Sequence, residues 1–200
     1  MTRASFFRLR LLFTGVVTIA IESLLLWNYM HGGIPRHHIL ADKNLPEISN
    51  IWGGLLLPIL TWFLTWRIQK RIFKKVNSGS EVNIRPVVTA FICALLYAII
   101  MATSFSLGYR EVISNMMLAI FAIGLFLPVY RSEYLLGLVL GMTFTFGAVL
   151  PTGVGTIVCG ITAILYLVVR RVVMYLFVRK PADRPPGVQV HREGTKHVRR

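Results

Sequence analysis

Six long apolar runs divide this chain, and nearly all of its positive charge falls in alternate gaps between them. One set of gaps holds Arg3, Arg8 and Arg10, then Arg67, Lys70, Arg71, Lys74, Lys75 and Arg85, then Arg131, then every Lys and Arg from Arg170 to Arg200. The other set holds only Arg36, Lys43 and Arg110, so nineteen of the 22 Lys and Arg residues share one side. A helix needs roughly 20 apolar residues to cross the hydrocarbon core, and loops rich in Lys and Arg stay in the cytoplasm. The pattern predicts an all-α polytopic membrane bundle with six transmembrane helices at about 9–30, 51–66, 87–107, 112–130, 134–150 and 156–178, both termini inside. Loops 31–50, 108–111 and 151–155 then face out.

Composition agrees with lipid as the solvent. The chain is 55% hydrophobic and only 15% charged, with a mean hydropathy of +0.64, where soluble domains are about a quarter charged. The net charge of +14 flanks apolar segments instead of forming a patch on a soluble module, so no nucleic-acid partner is expected. Barrel strands would alternate apolar and polar residues; these runs do not. Arg3, Arg8 and Arg10 precede an apolar run, as in a signal peptide, but the run from Leu11 to Tyr29 is long and ends in Trp27, Asn28 and Tyr29, not in a small-residue cleavage site. It reads as a retained first span. Residues 1–180 form one transmembrane domain on this reading, and 181–200 a disordered basic tail with Pro181, Pro185 and Pro186. Short loops and charge asymmetry point to a bacterial cytoplasmic (inner) membrane.

Prolines mark the boundaries. Pro86 suits a helix start, Pro128 closes the fourth span, and Pro151 followed by Gly153 breaks the chain between the fifth and sixth. Pro58 falls inside the second span, where a kink is expected. Cys93 and Cys159 lie in apolar runs and read as packing residues.

Glu22 is the one acid the pattern puts well inside a span. Counted from Arg10 at the helical rise it lies about 18 Å in, and a carboxylate there should face the bundle or a cavity. It reads as a proton or cation coupling site, with Asn28, Tyr109 and Arg110 as candidate partners, or as a structural hydrogen bond. The outer loop carries His31, His37, His38, Asp42 and Glu47. These are suitable Zn or Cu ligands, but adjacent His37 and His38 point apart on any regular element. A polar loop on the headgroups and a lid over a cavity near Glu22 fit the same residues, and Pro46 and Glu47 suggest a helix start.

Arg67, Lys70, Arg71, Lys74 and Lys75 share one helix face. Such a stripe attracts a bilayer with anionic headgroups, or an acidic protein partner. Arg170 and Arg171 interrupt the last run; ending the span near Val169, with 172–178 in the interface, avoids burying them. Gly137 and Gly141 permit close helix approach, within the chain or in a homodimer. Hydroxyls at Thr103, Ser104, Ser106, Thr143 and Thr145 either line a polar path or bond their own helices.

No span carries a His for haem ligation. Nucleophile-elbow, zincin and phosphate-loop signatures are missing, so no cofactor is expected and enzymatic activity is disfavoured. The sequence favours a small permease or channel-like protein with a polar path near Glu22. A non-catalytic accessory or assembly subunit is the first alternative, and a metal-dependent membrane enzyme using the outer-loop histidines the second.

Overall fold

A computed structural model describes residues 2–31, 36–38, 47–76 and 82–178. Six helices follow one another: α1 Arg3–Met30, α2 Ile51–Val76, α3 Arg85–Ser106, α4 Arg110–Phe126, α5 Ser132–Phe146 and α6 Val149–Val178. Between α1 and α2, β1 Arg36–His38 and β2 Glu47–Ser49 pair antiparallel, with His37 opposite Ile48. Glu47 therefore lies in a strand and not in a first helical turn; the β-branched Ile48 beside it favours extended backbone, and α2 begins at Ile51.

Local chemistry sets the other ends. The Thr2 hydroxyl accepts from the Ser5 amide at 3.1 Å and caps α1. α3 opens on Arg85 and Pro86, where the missing amide proton costs nothing. α4 stops at Phe126, two residues ahead of Pro128. The break between α5 and α6 comes earlier than the sequence suggests. Gly147 makes it, at φ 70°, with the Asn50 side chain in the space a Cβ would need. Pro151 falls instead in the first turn of α6, where proline is tolerated. α2 runs on through Pro58.

Four helices are long and apolar enough to cross a bilayer: Arg3–Met30, Ile51–Lys74, Arg85–Ser106 and Val149–Val172. α4 and α5, with 17 and 15 residues, are shorter. Large apolar side chains cover the outside, among them Ile19, Leu118 and Phe144. An exposed apolar surface of this extent marks contact with lipid.

Pair contacts give the directions. Glu22 lies against Gly54 and Arg10 bonds Gln69, so α1 and α2 are antiparallel. Gly137 faces Phe91 and Leu95 while Gly141 faces Leu95 and Ala98, so α3 and α5 run parallel. α3 against α5 is the most extensive helix contact, and α5 also touches α2 and α6. The shortest helix is thus the hub. Its glycines lie against the α3 backbone, so the close-approach face of Gly137 and Gly141 is filled from within the chain.

One end of the bundle gathers the start of α1, the end of α2 and the starts of α3 and α5. Phe6, Ile68, Ile72 and Phe73 pack there against Val82, Ile84 and Val87. This is the basic end, carrying Arg3, Arg67, Lys70 and Arg85.

Candidate functional site

Among the described residues, six of the eight buried polar or charged side chains lie on the helices of the α1–α2–α5 seam, with Ser104 on α3 and Thr162 on α6 the others. At the basic end, Arg71 Nη2 donates to Glu133 Oε1 at 2.7 Å. Glu133 is 2% exposed and Arg71 33%. Glu133 lies in the first turn of α5, where the helix dipole favours a negative charge. The ion pair ties α2 to the hub helix.

Arg10, on α1, is 7% exposed. Its Nη1 donates to Gln69 Oε1 at 2.9 Å, and its guanidinium stacks 3.6 Å from the centre of the Trp62 ring. Gln69 also reaches the Arg3 carbonyl. The guanidinium is planar and weakly hydrated, so it tolerates a site where an ammonium would not. Trp62→Leu should remove the ring face and lower stability by about 1–2 kcal/mol. A thermal melt in detergent checks this, and a variant that melts like the parent would show the stack contributes nothing.

Among the described residues four buried side-chain polar atoms find no protein partner: Arg10 Nε, Thr14 Oγ1, Thr61 Oγ1 and Glu133 Oε2. All four belong to α1, α2 and α5. Thr14 stands one turn beyond Arg10, and Thr61 is the neighbour of Trp62, so both fall between the Arg10–Gln69 and Glu22–Gly54 contacts of the same helix pair. Each such atom costs about 1–3 kcal/mol unless something polar meets it. At the far end the seam opens into a pocket of about 180 Å³ lined by Asn28, Asn50, Thr143 and Thr145. Between the two lies a packed apolar core of Val17, Ile21, Leu25, Leu57 and Val139.

The sequence candidates distribute unevenly over this geometry. Asn28 lines the pocket, but Glu22 is exposed at the edge of the α1–α2 contact; a methyl group on Gly54 would come within 2.9 Å of its Oε1. The depth assigned to Glu22 took Arg10 as the membrane edge, whereas Arg10 is itself buried in the bundle. Glu22 makes no hydrogen bond or ion pair with Asn28, Tyr109 or Arg110, and Arg110 is exposed at the start of α4. Thr103, Ser106 and Thr143 donate to the carbonyls of Ile99, Ala102 and Val139 on their own helices.

Of the basic stripe, Arg67, Lys70 and Lys74 are exposed while Arg71 turns inward to Glu133. Lys75 keeps its place on α2, its side chain outside the described residues, as are the side chains of His37, His38 and Glu47 and all of Asp42. His31 stacks on Trp27 at 3.9 Å with Nδ1 at 3.0 Å from the Trp27 carbonyl. No cluster of three metal-ligating side chains occurs among the described residues. Arg170 and Arg171 are exposed on a helix that continues to Val178 without a separate interfacial piece. The tail 181–200 lies outside the described residues.

Sequence reasoning missed Glu133, which sits at the margin of an apolar run beside Arg131 and reads as a loop acid. The available signal was its place in a first turn, with a basic helix face on another element to meet it.

No protein-family model, no curated protein and no solved structure matches the chain.

Proposed function

We propose that this chain is a small permease or channel-like protein of a bacterial cytoplasmic membrane, crossing six times with both ends inside, and that its path is the α1–α2–α5 seam. The observation that carries this reading is the concentration of all four partnerless buried polar atoms in that one seam. Water meets such atoms wherever a polar site has room, and a hydrated seam leading to a polar pocket is the raw material of a path. Positive-inside charge puts the basic end in the cytoplasm, so the pocket of Asn28 and Asn50 faces out and the Arg71–Glu133 pair closes the inner end. The short α4 and α5 complete the six crossings between longer neighbours.

Arg10 adds a buried positive charge that no carboxylate among the described residues meets, which suits a small anion and repels cations. Flux measured on the full chain in sealed liposomes tests the reading. Chloride is expected to pass and potassium is not. Thr61→Val, which removes one hydroxyl without adding bulk, should lower chloride flux about tenfold, a change of roughly 1.4 kcal/mol in barrier. Chloride flux no higher than in empty liposomes, or unchanged by Thr61→Val, would overturn it. Glu22→Gln in the same assay reads whether the exposed acid at the seam's edge couples the movement.

A further inference from the structure

A second cavity lies on the other side of the hub helix. It measures about 650 Å³ and lies between α3, α4, α5 and α6. Ala90, Cys93 and Tyr97 of α3, Ile123 of α4, Leu138 of α5 and Cys159 of α6 form its walls. The Tyr97 hydroxyl, its deepest polar group along α3, is already spent on the Met116 carbonyl. Cys93 and Ile123 are exposed, so the recess opens sideways onto the lipid-facing surface. Its α3 wall runs from Arg85 to Tyr97, about 18 Å at the helical rise. That is close to the depth of one leaflet, half of a hydrocarbon core of roughly 30 Å.

The polar groups of this recess are not scattered. Arg85, the first residue of α3, is exposed at the basic end, and Thr89 stands one turn behind it. No carboxylate among the described residues pairs with Arg85. Beyond Thr89 the walls are apolar but for the two thiols and the tyrosines. A cation at the headgroup level above an apolar trough one leaflet deep is complementary to one kind of molecule.

We infer that the α3–α6 recess binds an anionic membrane phospholipid, its acyl chain along Cys93 and Tyr97 and its phosphate on Arg85. A guanidinium meets phosphate with paired, charge-assisted hydrogen bonds, and the Thr89 hydroxyl is placed to add another. The lipid comes from the leaflet at the basic end, which positive-inside charge makes the cytoplasmic one, where anionic headgroups already favour Lys and Arg. This site is separate from the α1–α2–α5 seam, and neither needs the other.

Photolabelling of the full chain in phosphatidylcholine nanodiscs tests it, with two probes carrying the same diazirine on the acyl chain, one a phosphatidylglycerol and one a phosphatidylcholine. The expected result is adducts on α3–α6 wall residues, with the phosphatidylglycerol probe favoured about five- to tenfold. Arg85→Gln should bring the two probes level, and Arg85→Lys should keep most of the preference. Cys93→Trp, a bulky residue at an exposed wall position, should reduce labelling by both probes. Equal labelling by the two probes in the parent chain, or a preference that survives Arg85→Gln, overturns the headgroup assignment. Adducts spread evenly over all six helices overturn the site itself.

Discussion

Arg71→Ala is expected to lower the stability of the protein by about 3–5 kcal/mol, because it leaves Glu133 buried without its counter-charge. The reverse substitution should be much milder. Glu133→Gln removes the charge from the buried partner, and Arg71, a third exposed, can turn toward solvent. A cost of about 1–2 kcal/mol is expected there, the net worth of a hydrogen bond to a charged group. Arg71→Leu with Glu133→Leu should recover most of the loss, since a buried pair replaced by apolar side chains is often neutral. Unfolding in mixed detergent micelles, read for the parent, both single variants and the double, gives the comparison. Equal losses in the two single variants would show that desolvation of Glu133 is not what the pair relieves. The exposed Arg67, Lys70 and Lys74 on the same helix set the control: alanine at any of them should change stability by less than about 1 kcal/mol.

The second large effect belongs to Gly137. A Cβ there would lie 2.5 Å from the Phe91 carbonyl oxygen and 2.9 Å from both Ala94 Cβ and the Leu95 amide nitrogen. Two of those three neighbours are backbone and have no rotamer to escape into. Gly137→Val must therefore push α3 and α5 apart along the most extensive helix contact in the protein. A loss of at least about 3 kcal/mol is expected, at the upper end of overpacking costs, and the groove next to α5 should change shape with it. Gly15 and Gly160 provide the contrast, with nothing within 4 Å of a built Cβ. Gly15→Ala and Gly160→Ala should be neutral, or stabilising by up to about 1 kcal/mol through helix propensity. Melting midpoints for the three variants in one detergent would separate contact from propensity. Similar melting of Gly137→Val and Gly160→Ala would sink the close-packing account.

Hydropathy made the helical bundle legible, since each apolar run is a local property of the chain, and all six helices sit where those runs are. Ends were less legible. Pro151 is a breaker by composition, yet it sits inside α6, because a proline's effect depends on its position within the helix. Gly147 breaks the chain through a positive φ, which its identity permits but does not announce. The candidate site was the least legible part. Glu22 stood out because it is a single acid in an apolar run, and the structure leaves it exposed. Glu133 was hidden by a neighbouring arginine, and its burial depends on α2 bringing Arg71 across 62 positions of sequence. Arg10 looked like an interfacial charge because its partners, Trp62 and Gln69, lie on another helix. Pairings of this kind are set by how helices pack, which one chain's hydropathy does not encode. The recess was invisible for the same reason: its two cysteines are far apart in sequence and come to line one cavity only when α3 and α6 pack on the same bundle.

The shortness of α4 has a consequence for where such a protein is comfortable. Seventeen residues make a helix of about 25 Å, against a hydrocarbon core of roughly 30 Å. On the proposed six-span reading α4, which packs on α3 and α6 and exposes Leu118 and Phe126, gives the bundle a low flank, and lipid touching that flank compresses to keep the helix ends at the water boundary. Hydrophobic mismatch of this kind costs a fraction of a kcal/mol for each ångström. A thicker, sterol-like bilayer would therefore expel the protein or tilt it, and a thin one would hold it level. Moving the same molecule through bilayers of increasing acyl length changes no contact inside the protein, yet it changes the energy of every lipid along the α4 side.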